Sequence, residues 1–327
     1  MPTTTFIKAI HDAMFEEMKR DENVFILGED VGILGGAFKA TEGFQKEFGP
    51  DRVIDTPISE TLIVGAAIGA AILGMRPIAE MQFGDFISCG YDQIINNAAT
   101  LRYRHGGKAQ VPIVIRAPSG AGVHGGLFHS QNPESYFLPI PGLKIVTPAT
   151  AYDAKGLLKA SIRDNDPVLF FEHKYLYRRI QEELPEEEYI VPLGQAAIRR
   201  EGSDMTFITY SAALYPSLAA AEKLKEEDGL DVEVIDLRTL RPLDWETIFK
   251  SVRKTNKVMI IHEDRKTGGV GGEISARISE EAFDQLDGPI LRVTSEDTHY
   301  AFSPPLEEFI LPNVDKILSK ARTLAAY

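Results

Sequence analysis

Short, nearly unbroken apolar runs alternate along this chain with longer segments of helical periodicity. Val24–Leu27, Pro77–Phe83, Pro112–Ile115, Leu143–Val146 and Val168–Phe171 have the length and residue types of strands, as does Arg52–Asp55. Helical patterning falls between them, near 5–20, 60–74, 86–102 and 150–163. The strand runs lack the apolar–polar alternation of a sheet with one wet face. They therefore predict strands covered on both sides, and hence a parallel sheet. Gln181–Glu188 breaks the rhythm: five glutamates and one proline in eight residues predict a solvated linker. Beyond it the alternation resumes, with strands over 205–210, 232–236, 257–261 and 290–293 and helices near 214–227, 244–254 and 272–286. The pattern predicts an α/β fold of two doubly wound domains, 1–185 and 186–327.

Length and composition narrow the class. The chain has 327 residues, 44% hydrophobic and 25% charged, which suits two globular domains and excludes a disordered or fibrous protein. A net charge of −13 repels nucleic acid and anionic membranes, so neither is an expected partner. The single cysteine, Cys89, excludes an internal disulfide, a thiolate zinc site and a cysteine-held cluster. It suits a reducing compartment, and the expected location is cytoplasmic. Met1–Phe6 lacks the basic and apolar regions of a secretory signal. The most apolar stretch, Leu62–Met75, falls short of the ~20 residues a membrane span needs.

Two places stand out chemically. Glu60 opens the apolar helix Leu62–Leu73, which Gly65, Gly69 and Gly74 interrupt. Each helical glycine costs ~1 kcal/mol against alanine, so close approach of another backbone is expected there. A helix apolar all round predicts burial, and a buried carboxylate needs a partner or a raised pKa. Helix starts also favour acids for their dipole alone. The second place is His129, in the loop Pro118–Gln131, which holds four glycines and also His124. Ligands in open α/β sheets sit at the carboxyl ends of strands, where this loop falls, and histidine suits proton transfer. A loop histidine can equally serve only the local backbone. The absence of a Gly-x-Ser-x-Gly elbow argues against serine hydrolase chemistry. Phe83 and Phe86 are either stacking platforms for a flat ligand or core aromatics. Gly268–Gly272 predicts a tight turn and helix start, and His262–Asp264 a solvated loop. No His/Asp/Glu set has metal-ligand spacing.

Several motifs together carry a resemblance: Asp55-Thr-Pro-Ile-Ser-Glu60, Arg76-Pro-Ile-Ala-Glu-Met-Gln-Phe83, His129-Ser-Gln131, Asp153-Ala-Lys-Gly-Leu-Leu158 and Val234-Ile-Asp-Leu-Arg-Thr239. In order and along essentially the whole chain, they resemble the β subunit of the thiamine-diphosphate-dependent decarboxylase component of 2-oxo acid dehydrogenase complexes. The resemblance implies a pyrimidine-binding thiamine-diphosphate domain followed by a transketolase-like C-terminal domain. It implies that Glu60 hydrogen-bonds N1′ of the aminopyrimidine and promotes the imino tautomer that removes the C2 proton. Phe86, where branched-chain members often carry tyrosine, stands against the pyrimidine; Ile58 and Gln82 join the cofactor site. His129 assists proton movement as the acyl group passes to lipoamide. Val111, Ile113, Ser161, Asp164 and Asp166 align with positions that hold a structural potassium ion in related subunits.

The resemblance also says what lies outside the chain. Gly84-Asp85-Phe86 stands where thiamine-diphosphate enzymes use a Gly-Asp-Gly segment to anchor Mg2+ and the diphosphate. The expectation is that an α subunit holds both, in an α2β2 tetramer without which this chain is inactive, and that a lipoyl acyltransferase core receives the acyl group. Gln82–Phe86 and His129–Glu134 look closer to branched-chain 2-oxo acid enzymes than to pyruvate or acetoin enzymes. The segment Asp297–Phe302 departs from the family's usual Asp-Thr-Pro-x-Pro. A non-catalytic assembly subunit, or a ferredoxin-linked oxidoreductase subunit with clusters supplied from elsewhere, are the alternatives.

Overall fold

The computed structural model describes residues 3–327. A short strand β1 (Thr3–Thr5) leads into the helix Phe6–Arg20, whose first turn is capped by the Thr5 side chain accepting from the Lys8 amide. The parallel strands β2 (Val24–Gly28), β3 (Val53–Asp55), β4 (Arg76–Glu80), β5 (Val114–Ser119), β6 (Lys144–Val146) and β7 (Val168–His173) follow. After them come β8 (Gln181–Glu183), β9 (Ala197–Arg200), β10 (Met205–Thr209), β11 (Val232–Asp236), β12 (Thr239–Arg241), β13 (Val258–Arg265) and β14 (Leu291–Ser295).

Two large sheets result. The first has the order β12-β6-β7-β5-β4-β2-β3 and the second β14-β13-β10-β11-β9. Every residue of β2, β5, β7, β10 and β11 is buried, as unbroken apolar runs require of strands covered on both faces. One face of the first sheet is covered by the helix Glu60–Ile72 and the other by Phe6–Arg20 with Ala151–Arg163. The α/β architecture is the one the pattern predicts. Its unforeseen element is β12, which comes from the second half of the chain yet pairs antiparallel with β6 at the edge of the first sheet.

Four local expectations are corrected. The acidic segment is not wholly linker: Gln181–Glu183 forms β8, antiparallel to β1, and Leu184 behind it is buried. A two-stranded surface ribbon tolerates glutamates because alternate side chains point to water. The helix expected over 86–102 is broken into a 3-10 turn (Gly84–Gly90), a π-helical turn (Gln93–Ala98) and an α-helix (Ala99–Arg104). The break lies against the helix Glu60–Ile72: a Cβ on Gly90 would stand 3.0 Å from Val64 Cγ2, and Thr61 Oγ1 donates to Cys89 O at 2.6 Å.

That apolar helix, in turn, is not buried all round. Ile63, Val64, Ala67, Ile68 and Ala71 face the core, while Leu62, Ile72 and Leu73 (86% exposed) face outward. Among the described residues, no backbone closes on its glycines: a Cβ at Gly69 or Gly74 meets nothing within 4 Å, and Gly74 serves a turn at φ +98°. Finally, His262–Asp264 is not a solvated loop. It lies in β13, inside the second sheet between β10 and β14, with His262 and Asp264 buried. Among the described residues, no helix is long and apolar enough to cross a membrane.

Candidate active site

Parallel strands bring their carboxyl ends to one edge, and the candidate residues collect there. Glu29 follows β2, Glu60 lies beyond β3, Gln82 and Phe83 follow β4, the loop 120–132 follows β5, and Lys174 follows β7. Glu60 occupies the first turn of its helix, half-buried, where the helix dipole favours a carboxylate. Its charge is felt by Glu29, which is buried; burial first, then Glu60 and Asp30, push the Glu29 carboxyl up. Glu29 Oε1 has no hydrogen-bond partner among the described residues.

His129 sits over two aromatic rings. Its ring is edge-on to Phe83 at 4.3 Å and to Phe86 at 5.7 Å between centroids, and Phe83 and Phe86 are themselves 6.0 Å apart. Gln82 is half-buried beside them, while Ile58 is 83% exposed on the turn before Glu60. The Asp85 carboxylate is held through one oxygen: Oδ1 accepts from the amides of Ser130 (3.2 Å) and Gln131 (3.1 Å), fixing the far end of the His129 loop, while the buried Oδ2 has no hydrogen-bond partner among the described residues. Gly120 N donates to Gln131 O at 3.0 Å and closes the loop at its neck. A cleft of about 540 Å³ opens beside His129, lined by Phe38, Phe83, Lys174, Tyr175 and Arg178 among others. Burial pushes the Lys174 ammonium down to about 8, although Asp85 and Glu263 oppose that shift. Its Nζ lies 3.3 Å from Pro118 O.

Below this edge, the sheet interior holds a charged cluster. Arg116 donates to Glu172 through Nε (2.6 Å) and Nη2 (2.8 Å) and to Glu80 through Nη1 (2.5 Å), and Tyr177 OH donates to Glu172 at 2.8 Å. Burial raises the Glu80 carboxyl, with Arg116 pulling against it.

The residues proposed for potassium gather at the opposite edge. Val111 and Ile113 precede β5, and Ser161 to Asp166 join the helix Ala151–Arg163 to β7. Their oxygens are engaged: Lys144 Nζ is 2.5 Å from Asp164 Oδ2, Arg76 Nη2 donates to Asp164 O at 2.5 Å, and Arg102 pairs with Asp166.

Comparison with known proteins places this geometry in context. Residues 3–180 match the family described as the transketolase pyrimidine binding domain, and residues 194–317 the transketolase C-terminal domain. The chain is 51% identical to the 2-oxoisovalerate dehydrogenase subunit beta of Bacillus subtilis (strain 168), covering 100% of both chains. It belongs to the family of 2-oxo acid dehydrogenase beta subunits. The pyruvate dehydrogenase E1 component subunit beta of the same organism is 47% identical, again over 100% of both, and that of Staphylococcus aureus 48% over 98% of both. A solved split-gene transketolase, an inactive beta4 tetramer, shares the fold at TM-score 0.80 and 20% identity, covering 99% of this chain and 98% of its own.

For a 2-oxo acid dehydrogenase beta subunit, reading the sequence missed four ionisable side chains around the site: Glu29, Lys174 and Glu307, which are buried, and Glu263, which is nearly so. Glu29 and Lys174 carried a signal, as charged residues just beyond apolar runs. Glu263 and Glu307 carried none, because what brings them to the His129 loop is packing between distant segments.

Proposed function

We propose that this chain is the β subunit of a thiamine-diphosphate-dependent branched-chain 2-oxo acid dehydrogenase, acting in the cytoplasm. The observation that carries the reading is the grouping of Glu60, Phe86 and His129 at the carboxyl edge of a parallel sheet. This donor set suits the pyrimidine half of the cofactor. It offers a half-buried carboxylate at a helix start, an aromatic face nearby, and a buried Glu29 oxygen without a partner. When bound, thiamine diphosphate supplies a nucleophilic carbon and an electron sink for decarboxylation. Glu60 holds the proton at pyrimidine N1′, and its hydrogen bond strengthens as the ligand excludes water. Phe86 takes the ring face, Gln82 and Ile58 form the rim, and His129 moves the proton that accompanies acyl transfer to a lipoyl group.

The diphosphate and its Mg2+ belong, in this reading, to an α subunit. Asp85 Oδ1 is taken by two backbone amides, and among the described residues no group of three or more His, Cys, Asp or Glu is placed to hold a metal ion. The outward Leu62, Ile72 and Leu73 give a partner an apolar face to cover. The proposed assembly is α2β2, inactive without α, and docked on a lipoyl acyltransferase core. The proposed domain boundary is near residue 185. Potassium does not fit well: Lys144, Arg76 and Arg102 already supply cations to Asp164 and Asp166, and no step is routed through a further one.

The branched-chain preference rests on the 51% identity to the 2-oxoisovalerate enzyme subunit. Pyruvate is the second reading, favoured by 47% identity to the pyruvate enzyme subunit. One methylene in an apolar pocket is worth only ~1–3 kcal/mol, so few side chains separate the two. The test is gentle purification of the tagged chain from its native cells. The eluate is then assayed with thiamine diphosphate, magnesium and an artificial electron acceptor on 2-oxoisovalerate, its leucine and isoleucine counterparts, and pyruvate. A copurifying second chain with branched-chain turnover is expected. Pyruvate preference would move the substrate, and a chain without partner or turnover would point to an assembly role.

A further inference from the structure

The loop 120–132 is held from below by Asp85, but its outer turn is held by the second half of the chain. Glu263, on β13, accepts from the Ala121 amide (2.7 Å) and from Asn132 Nδ2 (2.8 Å) through Oε1, while its Oε2 lies 2.9 Å from His173 Nε2. Glu307, on the short helix Pro304–Ile310, accepts from the Gly122 amide through Oε1 (2.9 Å). Its Oε2 accepts from the His124 amide (3.3 Å) and lies 2.7 Å from His124 Nδ1. Two carboxylates thus take three amides within four residues.

The backbone is shaped for this. Gly120, Gly122 and His124 all have positive φ (+84°, +78° and +59°), alternating with residues that do not. Successive amides in such a run turn to one side and form a concavity for an anion. Here the anions are side chains of the same molecule. The Asp297–Phe302 segment, which departs from the family pattern, adds to the hold. Tyr300 is buried, with its OH 3.1 Å from Asn132 Nδ2 and 3.2 Å from Glu263 O. A Cβ on Gly126 would stand 2.2 Å from the Phe302 ring, so that ring lies directly on the loop. Charge-assisted hydrogen bonds of this kind are about twice as strong as neutral ones and fix geometry.

We propose that Glu263 and Glu307 are positioning residues which lock the 120–132 loop and thereby keep His129 against Phe83. They touch neither substrate nor cofactor; they act through the loop. The inference rests on the reading of His129 as the acyl-transfer residue. It also gives the C-terminal half a part in the chemistry of the first sheet.

The test uses the assembled enzyme with its α partner and compares wild type, Glu307→Ala, Glu307→Gln, Glu263→Gln and the exposed neighbour control Glu308→Ala. Two readouts are taken: hydrogen exchange of the 120–132 amides, and acyl transfer to a lipoyl domain set against decarboxylation with an artificial acceptor. Glu307→Ala should speed exchange at least about tenfold, and at residues 129–131 as well as at 122–124. It should slow acyl transfer about tenfold and decarboxylation less than about threefold. Glu307→Gln, which keeps one acceptor oxygen, should fall between; Glu308→Ala should match wild type. If 129–131 exchange at the wild-type rate in both Glu307→Ala and Glu263→Gln, the lock does not exist. A loosened loop with undiminished acyl transfer, in an enzyme that loses it on His129→Ala, overturns the link to His129. If His129→Ala itself leaves acyl transfer intact, the role assigned to His129 fails, and the exchange data alone still decide the lock.

Discussion

The His129 ring stands nearly perpendicular to Phe83, at 82°, with 4.3 Å between centroids. This edge-to-face contact holds the imidazole by its flank, and histidine suits proton transfer near neutral pH. His129→Ala should therefore cut acyl transfer to lipoyl groups by about 10²–10⁴-fold, the usual range for general acid–base catalysis, with a much smaller loss in decarboxylation. Single-turnover acylation of a lipoyl domain, measured beside artificial-acceptor turnover, checks the division. Equal losses in both half-reactions would refute it.

Glu60→Gln should abolish turnover by orders of magnitude while the assembly persists on gel filtration. The amide matches the carboxylate in shape but cannot hold the proton at N1′ in the same way. An active Glu60→Gln enzyme in the assembled state would favour the assembly-subunit reading instead.

Arg116 is buried between Glu80 and Glu172. Removing one member of a buried ion cluster leaves an uncompensated charge, typically at a cost of about 3–5 kcal/mol. Arg116→Leu leaves two carboxylates with no counter-ion and should lower stability to urea by about that amount. Replacing all three with apolar residues should cost far less. Denaturation curves of the single and triple variants test the contrast.

Two neighbouring acids should give the protein opposite pH limits. Burial would raise Glu263, but the His173 charge and the hydrogen bonds from His173, Ala121 and Asn132 overrule it and bring it to about 2. Its contribution is present above the ordinary carboxyl range and fades as pH falls toward 2. Glu134, which accepts from Tyr210 OH at 2.9 Å, is instead pushed up to about 8 by burial and by Asp264. Its contribution is full below the ordinary range and fades as pH rises through 8. Between about pH 6 and about pH 8.5, wild type should lose stability that Glu134→Gln retains, because the amide keeps an acceptor for Tyr210 without a charge to bury. Parallel stability curves for the two proteins would count against this account.

The α/β architecture was legible because parallel strands buried on both faces leave an apolar signature in every run. The position of the His129 loop at the carboxyl edge of the sheet was legible because that loop follows a run with the signature of a strand. The helix breaks over 84–104 were not: they lie where Gly90 packs closely against Val64 of a distant helix, a contact no local pattern encodes. Nor was the burial of His262–Asp264, three polar residues whose strand lies between two others. The outward face of Glu60–Ile72 misled for a different reason: Leu62, Ile72 and Leu73 are apolar yet exposed, and an exposed apolar residue reads in sequence as core.

Strand β12 has one more consequence. Its pairing with β6 stitches the later half of the polypeptide into the earlier sheet. A protease nick or a gene split within residues 184–196 should therefore yield two fragments that copurify, and the chain should melt in a single cooperative step.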